Sequence, residues 1–179
     1  MVAAAPTSVE LDVGVANGDL VVAHDVDHAD ASGLQFERAL ELAGTTKVVV
    51  EAKCFPGLTP SSREFVQALR PYLTRVAVSS FSEPVLADVA RLRSADETTF
   101  LFDRPMRIAT VAHTIGPRHD VVTRDLVFAA HAAGLRIVPW TVNDVRRMAE
   151  LVDLGVDGLV TDEPALAREV AASRFSLAA

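Results

Sequence analysis

What constrains this chain most is a recurring pattern: short runs rich in valine and other β-branched residues alternate with stretches of helical period along its 179 residues. The runs are VELDVGV (9–15), KVVVEAK (47–53), RVAVSSF (75–81), TTFLFD (98–103), IATVAHT (108–114), RIVPWTV (136–142) and DGLVTD (157–162). Apolar runs separated by helical stretches are the signature of strands that pair in parallel and are covered by helices, so repeated βα units around a parallel sheet are expected. One further run, LVVAHD (20–25), follows the first across Asn17-Gly18, a dipeptide that favours the tight turn of an antiparallel hairpin. The expected architecture is α/β, with about seven parallel strands plus a β-hairpin extension, one strand short of a closed (β/α)8 barrel.

Helix boundaries support that reading. Ser82, with Pro84 in the first turn, Thr123 and Asn143 read as N-caps, as does Asp162 ahead of Glu163-Pro164, while Gly134 and Gly155 stand where helices stop. No linker or composition shift interrupts the pattern. With 50% hydrophobic residues the chain can bury one good core, so residues 1–179 read as a single domain. A net charge of -7 and scattered basic residues argue against nucleic acid as a partner. No segment is apolar for long enough to span a bilayer, and the first residues do not read as a signal peptide, so a cytoplasmic location is expected. The single Cys54 has no base beside it and reads as a small buried residue.

Chemistry gathers near the ends of the first two parallel runs. Side chains alternate along a strand, so Glu10 and Asp12 face one way, and Glu51 and Lys53 also share a face. Three carboxylates brought together repel one another unless a cation neutralises them, and an all-oxygen set suits a hard ion, Mg²⁺ or Ca²⁺. For His24 the loop length decides. A two-residue loop pairs Asp12 with Ala23 and turns His24 away, whereas a three-residue loop, Asn17–Asp19, sets Asp12 opposite His24; the longer loop is expected here, because only that register brings an imidazole to the metal. The plainer alternatives are solvated strand-end acids, a structural Lys53–Glu51 pair, a packing role for Trp140, and Ser79 and Ser80 satisfying backbone groups.

In order, ELDV, VVAHD, VEAK, VSSFSEPVL, GLRIVPWTVND and LGVDGLVTDEP resemble the motifs of the glycerophosphodiester phosphodiesterase family, from about Val9 to Pro164. The resemblance implies a TIM barrel of the phospholipase-C-like phosphodiesterase type. It also implies one divalent cation, held at Glu10, Asp12 and Glu51. The implied substrates are small glycerophosphodiesters, split to sn-glycerol 3-phosphate and an alcohol in glycerophospholipid metabolism. By the same resemblance His24 matches one of a pair of proton-transferring histidines, Lys53 the phosphate-holding lysine, and Trp140 a residue near the glycerol or the site mouth.

The family's first strand carries a His-Arg-Gly motif with the other histidine, followed by Pro-Glu-Asn, and neither occurs in the eight residues before Val9. His28, His113, His119 and His131 lie in no matching motif; His113 is the substitute to consider. The chain therefore reads as shortened relative to the family, with its small-residue start AAAPTS as a helix tail. Impaired activity and self-association through an open barrel edge are expected. Two functions remain: the hydrolase itself, or a catalytically silent relative that binds a metal, a phosphate ligand or a partner. A barrel enzyme abstracting a proton beside a carbonyl would use similar residues but leaves the ordered motifs unexplained.

Overall fold

A computed structural model describes residues 7–24, 34–54, 61–94 and 97–177. Asp25, His28 and the AAAPTS start up to Pro6 lie outside the described residues. Contacts divide the chain into two compact units, the first spanning Thr7–Phe100 with Ala109–Ala112, the second Leu101–Ile108 with His113 onward.

In the first unit β1 (Ser8–Ala16) does two jobs. Its first six residues run parallel to β4 (Lys47–Ala52), from Ser8 beside Lys47 to Val13 beside Ala52. Its last four turn back antiparallel onto β2 (Asp19–Val22), which continues to the two-residue β3 (Leu34–Gln35). On the other side of β4 come β5 (Val76–Ser80) and β6 (Thr98–Phe102), both in parallel register, giving the strand order β3-β2-β1-β4-β5-β6. Helices α1 (Phe36–Ala43), α2 (Ser62–Leu69) and α3 (Glu83–Ala90) alternate with these strands as the pattern requires. Phe36, Phe65 and Leu86 on the helices, with Val13, Val50 and Val78 on the strands, are all essentially inaccessible and form the core. Helix α2 is started by a reciprocal cap, in which Ser61 Oγ accepts from Glu64 N at 3.3 Å and Glu64 accepts from Ser61 N at 2.9 Å. Ser82 does sit at the N-cap of α3, but its side chain makes no capping bond.

The hairpin differs from expectation. Ala16 pairs with Asp19, so the loop is Asn17-Gly18 alone, and Ala23 N donates to Asp12 O at 3.0 Å, so Asp12 faces Ala23 rather than His24. Asn17 (φ 53°) and Gly18 (φ 92°) supply two consecutive left-handed residues. Such a turn twists with the strands, and this local preference overrides the register that a histidine beside the metal would need.

The second unit begins at Leu101–Phe102, the end of β6, and holds β7 (Thr114–Pro117), α4 (Arg124–Ala132), β8 (Arg136–Ile137), α5 (Val145–Leu154) and α6 (Pro164–Leu177). The run at 108–114 becomes strand only at Thr114. β7 and β8 pair in parallel, and Pro139, which has no N–H, follows soon after β8 stops. DGLVTD forms no regular strand, yet Asp157 N donates to Ile137 O, Val160 N to Pro139 O and Val142 N to Val160 O, each at 2.9 Å. Thr123 caps α4 as expected, accepting from Leu126 N at 3.2 Å. For α5 the cap is Asp144, accepting from Arg147 N at 2.9 Å, because Asn143 stands one residue too early. Asn143 instead donates to Asp162 Oδ2 at 2.7 Å, which occupies the residue expected to cap α6. Gly155, with φ 89°, closes α5 as expected.

Candidate metal centre

The centre forms where β1 leaves the parallel ladder for the hairpin. In that ladder Asp12 stands beside Glu51, and Glu10 stands beside Val49 two residues earlier. Neighbours in a parallel ladder point to the same face, so Glu10, Asp12 and Glu51 converge as expected. One carboxylate oxygen from each lies within 4.8 Å of the others.

Lys53 follows the end of β4, its backbone N–H bound to Val13 O at 3.0 Å, which extends the ladder by one bond. Its buried ammonium lies 2.5 Å from Glu51 Oε1 and 2.7 Å from Asp12 Oδ1. Burial opposes the lysine's charge, but these two short contacts outweigh it and hold its pKa above the ordinary lysine value. The pair with Glu51 that the plainer reading foresaw is therefore present, within a larger cluster.

The acids respond in the opposite sense. Glu10 is exposed as a residue, yet its carboxyl group is drawn out of water, and this loss of hydration, followed by the charges of Asp12 and Glu51, pushes it up to about 8. Burial also raises the Glu51 carboxyl, with Lys53 offsetting only part. Asp12 Oδ1 is buried and, despite the nearby ammonium, lacks a partner with hydrogen-bond geometry. A buried carboxylate oxygen of this kind, within an all-oxygen set crowded enough to hold protons, fits a hard divalent cation.

The other expected residues lie elsewhere. His24 is exposed, just beyond β2, and not across from Asp12. Trp140 belongs to the second unit, where its indole N–H donates to Gly116 O at 2.6 Å. His113 is half-buried in that unit, its carbonyl accepting from Arg136 N at 3.1 Å. Cys54 is buried as expected, and burial pushes its thiol up to about 12. Ser80 does satisfy backbone, its Oγ donating to Ala52 O and accepting from Ser82 N, both at 3.1 Å. Among the described residues no helix is long and apolar enough to cross a membrane.

The fold class is that of solved α/β-barrel phosphodiesterases. A glycerophosphodiester phosphodiesterase from Parabacteroides distasonis superposes with a TM-score of 0.76 at 23% identity, covering 94% of this chain and 85% of that one. An Oleispira antarctica phosphodiesterase in complex with the product sn-glycerol 3-phosphate superposes at 0.67 and 16% identity, covering 92% and 84%. At the level of sequence, the profile of the Glycerophosphoryl diester phosphodiesterase family matches residues 38–166, and the chain belongs to that family. Glu51, Lys53 and Trp140 fall inside the matched residues; Glu10, Asp12 and His24 precede them. The glycerophosphodiester phosphodiesterase of Caldanaerobacter subterraneus is 27% identical over 118 residues, which are 62% of this chain and 47% of that protein. The chain thus spans about half the length of that curated relative.

Proposed function

We propose that this chain hydrolyses glycerophosphodiesters to sn-glycerol 3-phosphate and an alcohol, using one divalent cation, Mg²⁺ or Ca²⁺, bound at Glu10, Asp12 and Glu51. The observation that carries the reading is the convergence of three carboxylates within 4.8 Å beside a buried lysine, in a chain of this family. When bound, the cation would neutralise phosphate charge and favour the deprotonated form of an attacking hydroxyl. Lys53, already held at the edge of the carboxylate cluster, supplies a fixed positive charge for a non-bridging phosphate oxygen. The family resemblance would make His24 the proton carrier to the leaving oxygen, a role typically worth on the order of 10²–10⁴-fold, although the register of β2 turns it away from the carboxylates. Glycerophosphodiesters from cytoplasmic phospholipid turnover are the substrate pool that suits such a site.

The test is release of sn-glycerol 3-phosphate from glycerophosphocholine with Mg²⁺ or Ca²⁺, before and after EDTA, for the wild type and His24→Ala. Metal-dependent release that falls in His24→Ala supports the reading. Release insensitive to EDTA overturns the metal role.

A second reading, a silent relative that binds metal and phosphate without turnover, is favoured by one observation: His24 is not opposite the carboxylates. Tight metal binding with no release from any glycerophosphodiester would establish it.

A further inference from the structure

The register of the first unit carries the polar row further than the metal carboxylates. Asp12 on β1 stands beside Glu51 on β4, Glu51 beside Ser79 on β5, and Ser79 beside Thr99 on β6. Ladder neighbours share a face, so four polar side chains cross four adjacent strands in one line. The two rows that precede it are apolar where β4 meets β5: Val50 stands beside Val78, and Val49 beside Ala77.

Ser79 and Ser80 face opposite ways and differ in how their hydroxyls are used. Ser80 donates to Ala52 O and accepts from Ser82 N, a fully engaged structural role. Ser79 is only 4% exposed, and its hydroxyl reaches the Val50 carbonyl at 3.5 Å, the outer limit for a hydrogen bond. A hydroxyl removed from water and weakly partnered gains more from a new partner than a solvated one does. Thr99 is more accessible than Ser79 and extends the row away from the acids.

We propose that Ser79 and Thr99 form a hydroxyl subsite, beside Glu51, that binds the glycerol moiety of the substrate and so selects a polyol over other phosphodiester substituents. This rests on the proposed hydrolase reading. Polyol hydroxyls are both donors and acceptors, and a serine and a threonine side by side match them without adding charge next to the carboxylates. Removing one such bond costs roughly 3- to 10-fold in affinity.

The experiment is calorimetric titration of the full chain, loaded with Mg²⁺, with sn-glycerol 3-phosphate and separately with inorganic phosphate. The proteins compared are the wild type, Ser79→Ala, Thr99→Val and Thr99→Ser, each first shown by circular dichroism to be folded. Weaker glycerol 3-phosphate binding in Ser79→Ala and Thr99→Val, with phosphate binding unchanged and Thr99→Ser close to wild type, supports the subsite. The same variants should raise KM for glycerophosphocholine with kcat preserved, and leave KM for bis(4-nitrophenyl) phosphate unchanged. Wild-type turnover with all variants matching the wild type overturns the subsite alone. Failure of the wild type to bind glycerol 3-phosphate or hydrolyse any diester overturns the subsite together with the hydrolase reading.

Discussion

Asp12 and Glu51 stand side by side on the β1–β4 ladder, and the Lys53 ammonium lies 2.7 Å from one and 2.5 Å from the other. A single ammonium against two carboxylates, with Glu10 as a third, leaves the cluster short of positive charge. Each of the first three predictions below depends on that imbalance.

Glu51→Gln removes one charged ligand while keeping its volume. Partners that merely orient metal ligands are already worth roughly 10–100-fold in affinity, so loss of a ligand should weaken Mg²⁺ or Ca²⁺ binding by more than about 100-fold. Isothermal titration with either ion reads this directly, and an unchanged affinity would remove Glu51 from the site.

Lys53→Met should destabilise the metal-free protein, because it strips the only cation within reach of these two acids among the described contacts. Leaving partly buried carboxylates unpaired costs roughly 1–3 kcal/mol. The loss should be larger at pH 8 than at pH 5, because Glu10, raised to about 8, and Glu51, raised by burial, take up protons more readily at the lower pH, and a saturating divalent ion should restore part of it. Urea denaturation at the two pH values, with and without Mg²⁺, measures all three effects.

Metal binding should release a proton near neutral pH. The Glu10 carboxyl, raised to about 8, is protonated in the metal-free protein at pH 7 and must ionise to bind a cation. Affinity therefore rises with pH and levels off above about 8. Because this pKa is raised on folding, the folded state holds the proton more tightly than the unfolded chain. The contribution of Glu10 to metal-free stability is fully present below the ordinary carboxylate pKa and is lost as pH rises through about 8. Titrations in buffers of different ionisation enthalpy report the proton, and Glu10→Gln should flatten the pH dependence.

Gly18→Ala tests the hairpin. At φ 92° an L side chain is strained although nothing lies within 4 Å of its Cβ, so the cost is conformational, roughly 1–2 kcal/mol. A thermal melt that does not shift would mean the turn relaxes into another form.

Much of the fold was legible from the sequence, and for a physical reason. Burial on both faces demands valine-rich runs, so KVVVEAK and RVAVSSF announced β4 and β5, and the alternation of side chains placed Glu10 with Asp12 and Glu51 with Lys53. Helix caps were legible to within a residue, since Asn143 and Asp144 are chemically interchangeable as caps and only backbone geometry chose the second. The strand runs at 108–114 and 157–162 were less legible, because β-branched composition alone does not determine which backbone groups find ladder partners.

What the sequence by itself determined was thus the set of elements, the face each strand turns inward and the family to which the motifs belong. Register between strands distant in sequence was decided by the tertiary structure, and that of the hairpin by its own turn. In the hairpin a loop one residue shorter than expected moved His24 out of line with Asp12, because Asn17 and Gly18 settle into a tight turn whose twist matches its strands. Register likewise aligned Ser79 and Thr99 with Glu51 across strands that are distant in sequence. Such alignment comes from inter-strand hydrogen bonds and core packing summed over the whole sheet, which no single stretch of sequence encodes.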